Sequence, residues 1–272
     1  MADELDTEAE PLVSAAIDTS RVLALFATIC DAAADVLLRN DDWGWSGQRD
    51  TQYTVDLAMD DACRAPLLNA GYAVLSEESG VSLPAGATTI EETAGVVIVD
   101  PLDGSTNASL GLPWCATALC LVIDGEPTVA TVANLRTRDR YEAVRGGGAT
   151  LNGRRINVSE PVPLSEAIIC MNGVPDRHVG WRQARVMGAT ALDICSIASG
   201  GFDAYVDLDP GNIAVWDYLA SVLILEEAGG VADDRDDRGL VVLVSDDPHR
   251  NPIAATSRKL LDELHHAFLD VS

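Results

Sequence analysis

The part of this sequence most able to do chemistry is the stretch 96–107, which reads Val-Val-Ile-Val-Asp-Pro-Leu-Asp-Gly-Ser-Thr-Asn. Its apolar, β-branched start predicts a buried strand. The strand ends in two carboxylates, Asp100 and Asp103, and hard cations such as Mg²⁺ prefer carboxylate and carbonyl oxygens as ligands. A glycine followed by small hydroxyl residues at a strand end can direct backbone N–H groups at a phosphate. The stretch therefore predicts a metal-dependent enzyme that acts on phosphate.

Further acidic residues fall at turns or at the ends of predicted elements. They are Asp56, the pair Glu77-Glu78, and Asp217, which follows Trp216. Taken singly, each has a structural explanation, because Asp56 could cap a helix, the glutamates could be surface charge, and Asp217 could favour a helix dipole. A functional reading depends on all of them occurring together.

The apolar spacing also predicts the elements that must position these residues. Helices are expected at about 8–38, 54–69, 188–199, 216–228 and 257–269. Strands are expected at 72–75, 96–99, 168–171 and 204–208, with hairpins between 116 and 156 and loops at 40–50 and 80–90. With no repeat or low-complexity linker, the sequence predicts a single unit, 1–272, of two tightly joined halves at about 1–160 and 161–272.

The order of the acidic motifs resembles that of the inositol monophosphatase family. Asp56 is followed by Ser-Glu-Glu-Ser at 76–79, the motif at 100–107, and a Trp-Asp pair that opens a helix ending on Glu-Ala-Gly-Gly. Residues 147–156 are similar to the family's Gly-x-Gly-Ala hairpin, and residues 188–205 to its small-residue helix and following strand. The resemblance covers nearly the whole chain and implies an α/β (α+β) fold, a layered αβαβα sandwich.

The resemblance further implies a phosphoric monoester hydrolase that uses two or three Mg²⁺ ions and forms no covalent intermediate. Asp100 would bridge two ions, and the remaining metal ligands would be Glu77, the Leu102 carbonyl, Asp103 and Asp217. The implied catalytic residues are Asp56 and Ser105, which would orient the attacking water, together with Glu77. The implied phosphate and substrate contacts are Gly104, Ser105, Thr106, Gly188, Ala189, Thr190 and Asp209.

Three departures from the family pattern concern the site. Ser105 stands where threonine is usual, and serine keeps the hydroxyl but lacks the methyl group that restricts the side chain, so activity is expected to survive. A lysine often precedes the Asp56 segment, whereas here the nearest cation is Arg49. An acid before the Trp-Asp pair often contacts the sugar, and either Asp207 or Asp209 could serve.

The sequence therefore leaves the substrate open. The resemblance makes inositol 1-phosphate the first candidate, and fructose 1,6-bisphosphate, histidinol phosphate and 3′-phosphoadenosine 5′-phosphate are the alternatives that suit relatives of the family. Arg182 and Arg185 would meet a second phosphate or form ordinary surface contacts.

The acidic motif also has two alternative explanations. An aspartyl-phosphate phosphatase is disfavoured, because the two carboxylates are separated by two residues and the single lysine, Lys259, lies in the terminal helix. A non-catalytic phosphate- or cation-binding regulatory protein is the alternative from another class, since fold does not guarantee function. A complete but unfilled set of acids would repel itself, which favours the enzyme.

Composition limits the partners. The formal net charge is −25, so the surface should repel nucleic acid and anionic membranes. The small phosphate ester that the motif and the resemblance imply could bind only where metal ions reverse the local sign. The family resemblance also implies that the chain forms a homodimer. Lysine depletion beside seventeen arginines fits either a high-salt cytoplasm or a GC-rich genome.

The cysteines and the apolar runs bear on location. The six cysteines show no Cys-x-x-Cys pairing, which predicts buried free thiols in a reducing compartment. Neither a signal-like start nor an apolar run near the ~20 residues of a membrane span is evident. These features predict a cytoplasmic protein.

Overall fold

The computed structural model describes residues 17–49, 52–243 and 247–269. The helices in this part of the chain are α1 (Thr19–Arg39), α2 (Thr54–Asn69), α3 (Ser105–Ser109), α4 (Thr190–Ala198), α5 (Val215–Glu227) and α6 (Arg258–Leu269). The strands are β1 (Ala73–Ser76), β2 (Gly80–Ser82), β3 (Val96–Asp103), β4 (Ala116–Ile123), β5 (Glu126–Asn134), β6 (Arg140–Val144), β7 (Gly148–Leu151), β8 (Arg154–Arg155), β9 (Ile168–Asn172), β10 (Gln183–Arg185), β11 (Ala204–Asp207), β12 (Val231–Asp234) and β13 (Pro252–Ala255).

The strands form two sheets. The larger sheet has the order β2-β1-β3-β4-β5-β6-β7-β8, and its neighbours are antiparallel except for the parallel pair β1 and β3. The smaller sheet has the order β10-β9-β11-β13-β12, with β9 parallel to both β10 and β11. All strands of the larger sheet precede those of the smaller one in the sequence.

Helices cover both faces of each sheet, which confirms the predicted αβαβα layering. In β4, Leu119 and Leu121 pack with α1 and α2, while Ala118 and Cys120 face the opposite side. That opposite face packs on α4 and α5, which also contact the smaller sheet through Tyr205. Helix α6 covers the outer face of the smaller sheet. The two-residue alternation of buried side chains therefore lets each sheet support two hydrophobic layers.

The parallel pair β1 and β3 sets up the acidic site. Ser76 is paired with Val99, so Glu77 and Asp100 leave neighbouring strands at the same edge of the sheet. The Glu77 N–H donates to the Val99 carbonyl at 3.2 Å. An irregularity in the β3–β4 pairing between Asp100 and Asp103 keeps the strand going to Asp103. Two acids separated by two residues are thereby fixed at one strand end.

Several element predictions are confirmed, one needs correction, and one extends beyond the described residues. The predicted helix at 54–69 is α2, and the predicted helix at 257–269 is α6, which begins one residue later. The predicted loop at 80–90 is partly wrong, because Gly80–Ser82 forms β2 against β1. The helix predicted from residue 8 is observed from Thr19, and residues 8–16 lie outside the described part of the chain.

All six cysteines are buried free thiols, as predicted. Across the ranges that the structure describes, every helix is too short or too polar to cross a lipid bilayer.

Candidate active site

A cleft of ≈ 390 Å³ opens where β1, β3, α2, α3 and α5 meet. The residues that line it are Arg49, Gln52, Asp56, Glu77, Glu78, Asp100, Leu102, Asp103, Gly104, Ser105, Thr106 and Asp217. Nine of these twelve residues are predicted site residues, and the other three are Arg49, Gln52 and Glu78. Asp56 and Asp217, which are 161 positions apart in the sequence, thus line the same cleft.

Three of the acids converge closely enough to share an ion. Glu77, Asp100 and Asp217 each offer a carboxylate oxygen, and these oxygens lie within 4.8 Å of one another. Asp100 is fully buried, and Glu77 and Asp217 are partly buried. Such close, desolvated carboxylates repel one another unless a cation lies between them.

Four site acids each use one oxygen to bind a backbone N–H group. Asp100 Oδ1 accepts from Leu102 at 3.0 Å. At the start of three helices, Asp56 Oδ2 accepts from the Tyr53 N–H (2.8 Å), Asp103 Oδ2 from Ala191 (2.8 Å) and Asp217 Oδ2 from Ala214 (2.6 Å). These bonds fix the carboxylates at helix N-termini, where negative charge is favoured. The second oxygen of each acid is left for the cleft.

Two of those second oxygens are buried without a partner. Asp56 Oδ1 and Asp100 Oδ2 have no hydrogen-bond partner among the described residues. An orphaned buried carboxylate oxygen is costly. Both atoms belong to residues that line the cleft, so a bound cation or water would satisfy them.

The raised pKa values of the site acids are also consistent with a site that binds cations. Burial raises the carboxyl pKa of Asp56 and Asp217 to about 6. It raises the pKa of Glu77 to about 8, and repulsion from Asp217 and Glu78 acts in the same direction. The pKa values of Asp100 and Asp103 are also raised, chiefly by burial and then by the neighbouring acids. Positive charge in the cleft would favour the ionised forms and reverse these shifts.

The donor set fits Mg²⁺. Carboxylate oxygens of Glu77, Asp100 and Asp217 face one another, and Asp103 and the backbone of Leu102 line the same cleft. Oxygen ligands of this kind suit a hard divalent cation and not zinc, which prefers sulfur and nitrogen.

The turn after the acids requires glycine. Gly104 has φ +79°, and a Cβ there would lie 3.0 Å from the Ala189 Cβ and from the Trp114 carbonyl oxygen. Ser105 begins the short helix α3, and Ser105 and Thr106 line the cleft beside Gly104. The sequence Gly-Ser-Thr therefore places two hydroxyl residues next to the acids.

The predicted substrate contacts at 188–190 lie behind this turn. The Gly188 carbonyl oxygen would be 3.1 Å from a Cβ at Gly104. Ala189 is 1% exposed, and the buried Thr190 hydroxyl is 3.1 Å from the Tyr205 hydroxyl. Among the described residues, these three are not part of the cleft lining. They support the turn, and their contact with substrate stays a prediction.

A link between Trp114 and α4 reinforces that support. The Trp114 Nε1–H donates to Asp193 Oδ1 at 2.7 Å. Asn107 Nδ2 donates to the Trp114 carbonyl at 2.8 Å and to the Met187 carbonyl at 2.7 Å. The segment after α3 and the segment before α4 are thus held together behind the cleft.

Sequence reasoning missed one lining residue, Gln52, and assigned no role to Glu78. Arg49 and Gln52 both donate to the Glu78 carboxylate, and Arg49 Nη1 donates to the Glu77 carbonyl at 2.9 Å. Arg49 and Gln52 are therefore both held beside the two glutamates that follow β1. The sequence singles out Arg49 and the Glu77-Glu78 pair, but no pattern in it links them.

Asp207 and Asp209 differ in their surroundings. Asp207 is fully buried, accepts from Asn172 Nδ2 at 2.9 Å, and leaves Oδ2 without a partner among the described residues. Asp209 is exposed and donates its backbone N–H to Asp207 Oδ1 at 3.2 Å. Among the described residues, the cleft lining includes neither of these two acids, and it includes neither Arg182 nor Arg185.

Comparison with known sequences gives a consistent result. The profile of the family described as "Inositol monophosphatase family" matches residues 10–271. A "Fructose-1,6-bisphosphatase/inositol-1-monophosphatase" of Thermococcus kodakarensis is 34% identical over 224 residues, which is 81% of this chain and 83% of that protein. An "Inositol-1-monophosphatase" of Rhizobium meliloti is 40% identical over 157 residues, 52% of this chain and 58% of that protein.

A solved structure agrees in fold. The inositol monophosphatase from Anabaena superposes with a TM-score of 0.74 at 26% identity, covering 94% of this chain and 98% of that chain. The layered arrangement is therefore shared over nearly the full length.

Proposed function

Because this chain belongs to the inositol monophosphatase family and is accordingly a Mg²⁺-dependent phosphatase, we propose that it hydrolyses inositol 1-phosphate by direct attack of water on phosphorus. The observation that carries the proposal is the convergence of Glu77, Asp100 and Asp217, whose oxygens lie within 4.8 Å of one another. Gly104, Ser105 and Thr106 lie beside these acids in the same cleft.

The charge of the cleft explains why cations are needed. Six carboxylates line it, against one guanidinium, that of Arg49. A phosphate dianion would be repelled from such a cleft. Mg²⁺ held by Glu77, Asp100, Asp103, Asp217 and the Leu102 carbonyl would supply the positive charge that neutralises the phosphate and would acidify the attacking water.

The residues of the chain then position the reactants. Asp56 Oδ1 is buried and unpartnered, and its carboxyl pKa is raised to about 6, so it can accept a hydrogen bond or a proton from water near neutral pH. The Ser105 hydroxyl lies on the same cleft and would hold the other side of that water. The backbone N–H groups of Gly104 and Ser105 would bind the phosphate oxygens.

Asp207 and Asp209 are the candidates for an effect on the substrate's alcohol part, although neither is among the described residues that line the cleft. Asp207 is buried, and its charge acts on Asp217, which does line the cleft. Asp209 is exposed and donates its N–H to Asp207 Oδ1. Because Asp207 Oδ2 is buried, Asp209 is the acid that a hydroxyl of the substrate could reach.

Fructose 1,6-bisphosphate is the second candidate substrate, because the Thermococcus relative carries both activities in its name. We therefore propose to measure kcat/KM for inositol 1-phosphate, fructose 1,6-bisphosphate, histidinol phosphate and 3′-phosphoadenosine 5′-phosphate with Mg²⁺. Inositol 1-phosphate should lead by about tenfold or more, equivalent to about 1.4 kcal/mol of transition-state binding. A higher value for any of the other three would reassign the substrate.

Asp100→Asn tests the chemistry itself. The amide oxygen can still accept from the Leu102 N–H, so the fold should persist, while turnover should fall at least about a thousandfold. Asp61→Asn is the matched control, since Asp61 lies on the surface of α2 and pairs with Arg64. Unchanged turnover in Asp100→Asn would refute the assignment, and phosphate binding without turnover in the wild type would support the regulatory alternative.

We also propose that the chain forms a homodimer. Leu110 and Leu112, which follow α3, are 69% and 46% exposed. Exposed large apolar side chains close together are typical of interaction surfaces. Light scattering at micromolar concentration should give twice the mass of the 28.7 kDa chain, and Leu112→Asp should shift it toward the monomer.

A further inference from the structure

A second cavity of ≈ 300 Å³ lies on the side of the smaller sheet. Its walls come from the loop after β9, the connection between β11 and α5, and the last turns of α6. It shares no lining residue with the catalytic cleft. Its volume is at the lower end of the range of small-molecule sites.

Two arginines give this cavity its charge. Arg177 is exposed and donates from Nη2 to the Ala267 carbonyl at 3.2 Å. Arg235 donates from Nη1 to the Asp207 carbonyl at 2.5 Å, and its Nε is buried without a partner among the described residues. Within the ranges the structure describes, neither forms an ion pair. With Asp176 also in the lining, the cavity carries a formal charge of +1 in a chain of −25.

The rest of the lining is apolar. Leu208 and Pro210 form one wall and Phe268 another. The Phe268 ring stacks on Trp181 at a centroid distance of 6.0 Å, which ties it to the core beneath α6. Guanidinium groups recognise oxyanions, and an aromatic wall accommodates an apolar body.

We propose that this cavity is a binding site for a small organic oxyanion, a carboxylate or phosphate joined to an apolar group, and that its occupancy modulates the catalytic cleft. The oxyanion would pair with the guanidinium of Arg177 and with the part of the Arg235 side chain that lines the cavity. The apolar part would pack against Phe268.

The coupling follows from what the walls are connected to. Leu208 and Pro210 belong to the connection that leads into α5, and α5 carries Asp217. Arg235 holds the carbonyl of Asp207, at the end of β11. An anion that draws Arg235 toward itself would act on the segment that positions Asp217. Binding of an anion in the cavity should therefore change the turnover rate.

Binding can be tested without any assumption about the substrate. The probe is 8-anilinonaphthalene-1-sulfonate, an aromatic sulfonate whose fluorescence rises on binding, titrated into the Mg²⁺-loaded wild type, Arg177→Gln and Arg185→Gln. Arg185 is an exposed arginine that bonds only to its neighbours Ala184 and Gln183 among the described residues, so it is the matched control. We expect saturable binding that weakens at least tenfold in Arg177→Gln and is unchanged in Arg185→Gln.

Equal binding by all three proteins, or no saturable binding by the wild type, would overturn the proposal. Displacement by benzoate and by phenylphosphonate then separates the two oxyanion classes, and failure of both to displace the probe would refute the ligand class. Folding of Arg177→Gln is checked by circular dichroism.

The modulation is tested by the rate of p-nitrophenyl phosphate hydrolysis across the same titration. The rate should change by at least twofold in the wild type and stay constant in Arg177→Gln, whose rate without probe should equal that of the wild type. If the probe binds to the wild type and the hydrolysis rate stays constant, the proposed coupling between the cavity and the catalytic cleft is refuted. Because binding is read by fluorescence, an inactive enzyme would overturn the proposed function and leave the binding result interpretable.

Discussion

At the scale of single residues, the site acids differ from surface carboxylates in how their two oxygens are used. One oxygen of Asp56, Asp103 and Asp217 holds a backbone N–H at the beginning of a helix, and one oxygen of Asp100 holds the Leu102 N–H. The other oxygen is available to the cleft. Substitution by alanine removes both functions, whereas substitution by asparagine keeps the first.

The raised pKa values predict how metal-free protein responds to pH. Burial raises the carboxyl pKa of Asp56 and Asp217 to about 6 and that of Glu77 to about 8, whereas in an unfolded chain such groups titrate near 4. Their stabilisation is therefore fully present below about pH 4 and is lost as the pH rises through 6 to 8.

We expect the Tm of chelator-treated protein to fall by roughly 5–10 °C between pH 5.5 and 8.5, the equivalent of a few kcal/mol. Mg²⁺ should restore most of that loss at pH 8.5, because the ionised acids bind it. Differential scanning calorimetry with and without Mg²⁺ measures both effects. A Tm that is constant or rises over this range would contradict the assigned burial of the acids.

Ser105 offers a test of the proposed water-positioning role. Ser105→Ala removes a hydroxyl that lines the cleft while keeping the backbone N–H. We expect kcat to fall by about 10- to 100-fold and KM to change by less than about threefold. Steady-state kinetics separates the two. A larger effect on KM than on kcat would make Ser105 a substrate contact.

At the scale of elements, the turn between β3 and α3 decides whether the site forms. Gly104 and Gly125 both have φ +79°, but a Cβ at Gly104 would meet three atoms within 3.1 Å, while one at Gly125 would meet none within 4 Å. Gly125→Ala therefore isolates the cost of a left-handed backbone, about 1–2 kcal/mol.

Gly104→Ala should cost more than Gly125→Ala, by at least about 1 kcal/mol of unfolding free energy in urea, because the new methyl group would displace Ala189 and the Trp114 carbonyl. It should also abolish turnover, which Gly125→Ala should leave intact. Equal stability and activity of the two variants would show that the contacts behind Gly104 are not needed.

An element can be predicted from the sequence when its own residues carry the pattern that defines it. Helix α2 has the predicted bounds, and α5 and α6 begin within one residue of prediction. Local signals mark these helices, since the apolar run of α5 stops at Gly229-Gly230 and the apolar residues of α6 recur at helical spacing. Strand β3 is longer than the predicted 96–99, since its extension to Asp103 depends on pairing with β4 across a bulge. Strand β2 depends likewise on β1, so a local reading of Gly-Val-Ser at 80–82 predicts a loop.

The same distinction holds within the site. The acids in the 100–107 motif could be found because both lie in one short stretch, and Asp56 and Asp217 because they occur in the order that the family resemblance implies. Gln52 carried no such signal, because its role comes from a side-chain bond to Glu78, 26 positions away. Packing of the segment 188–190 behind Gly104 is a tertiary contact that no periodicity encodes.

At the scale of the whole molecule, the middle helical layer joins the two sheets. Helices α4 and α5 follow the larger sheet in sequence, yet their side chains pack in one cluster with Ile98 of that sheet and Tyr205 of the smaller one. Neither half of the chain could bury its share of this layer alone. We therefore propose that 1–272 is one domain whose halves are joined at about residue 160.

One cooperative unfolding transition is expected from this arrangement. Fluorescence and far-UV circular dichroism should give coincident midpoints in urea, and the fragment 1–160 should be unfolded when expressed alone. Two separate transitions, or a folded fragment, would show that the halves are independent domains.

The attachment of the site acids to helix starts also bears on how such a protein changes over evolutionary time. A copy that lost its catalytic role would still need Asp56, Asp103 and Asp217 to begin α2, α4 and α5. Selection for folding alone would then preserve much of the catalytic signature. An intact set of these acids in a descendant is accordingly evidence of ancestry, and only measured hydrolysis is evidence that the enzyme still works.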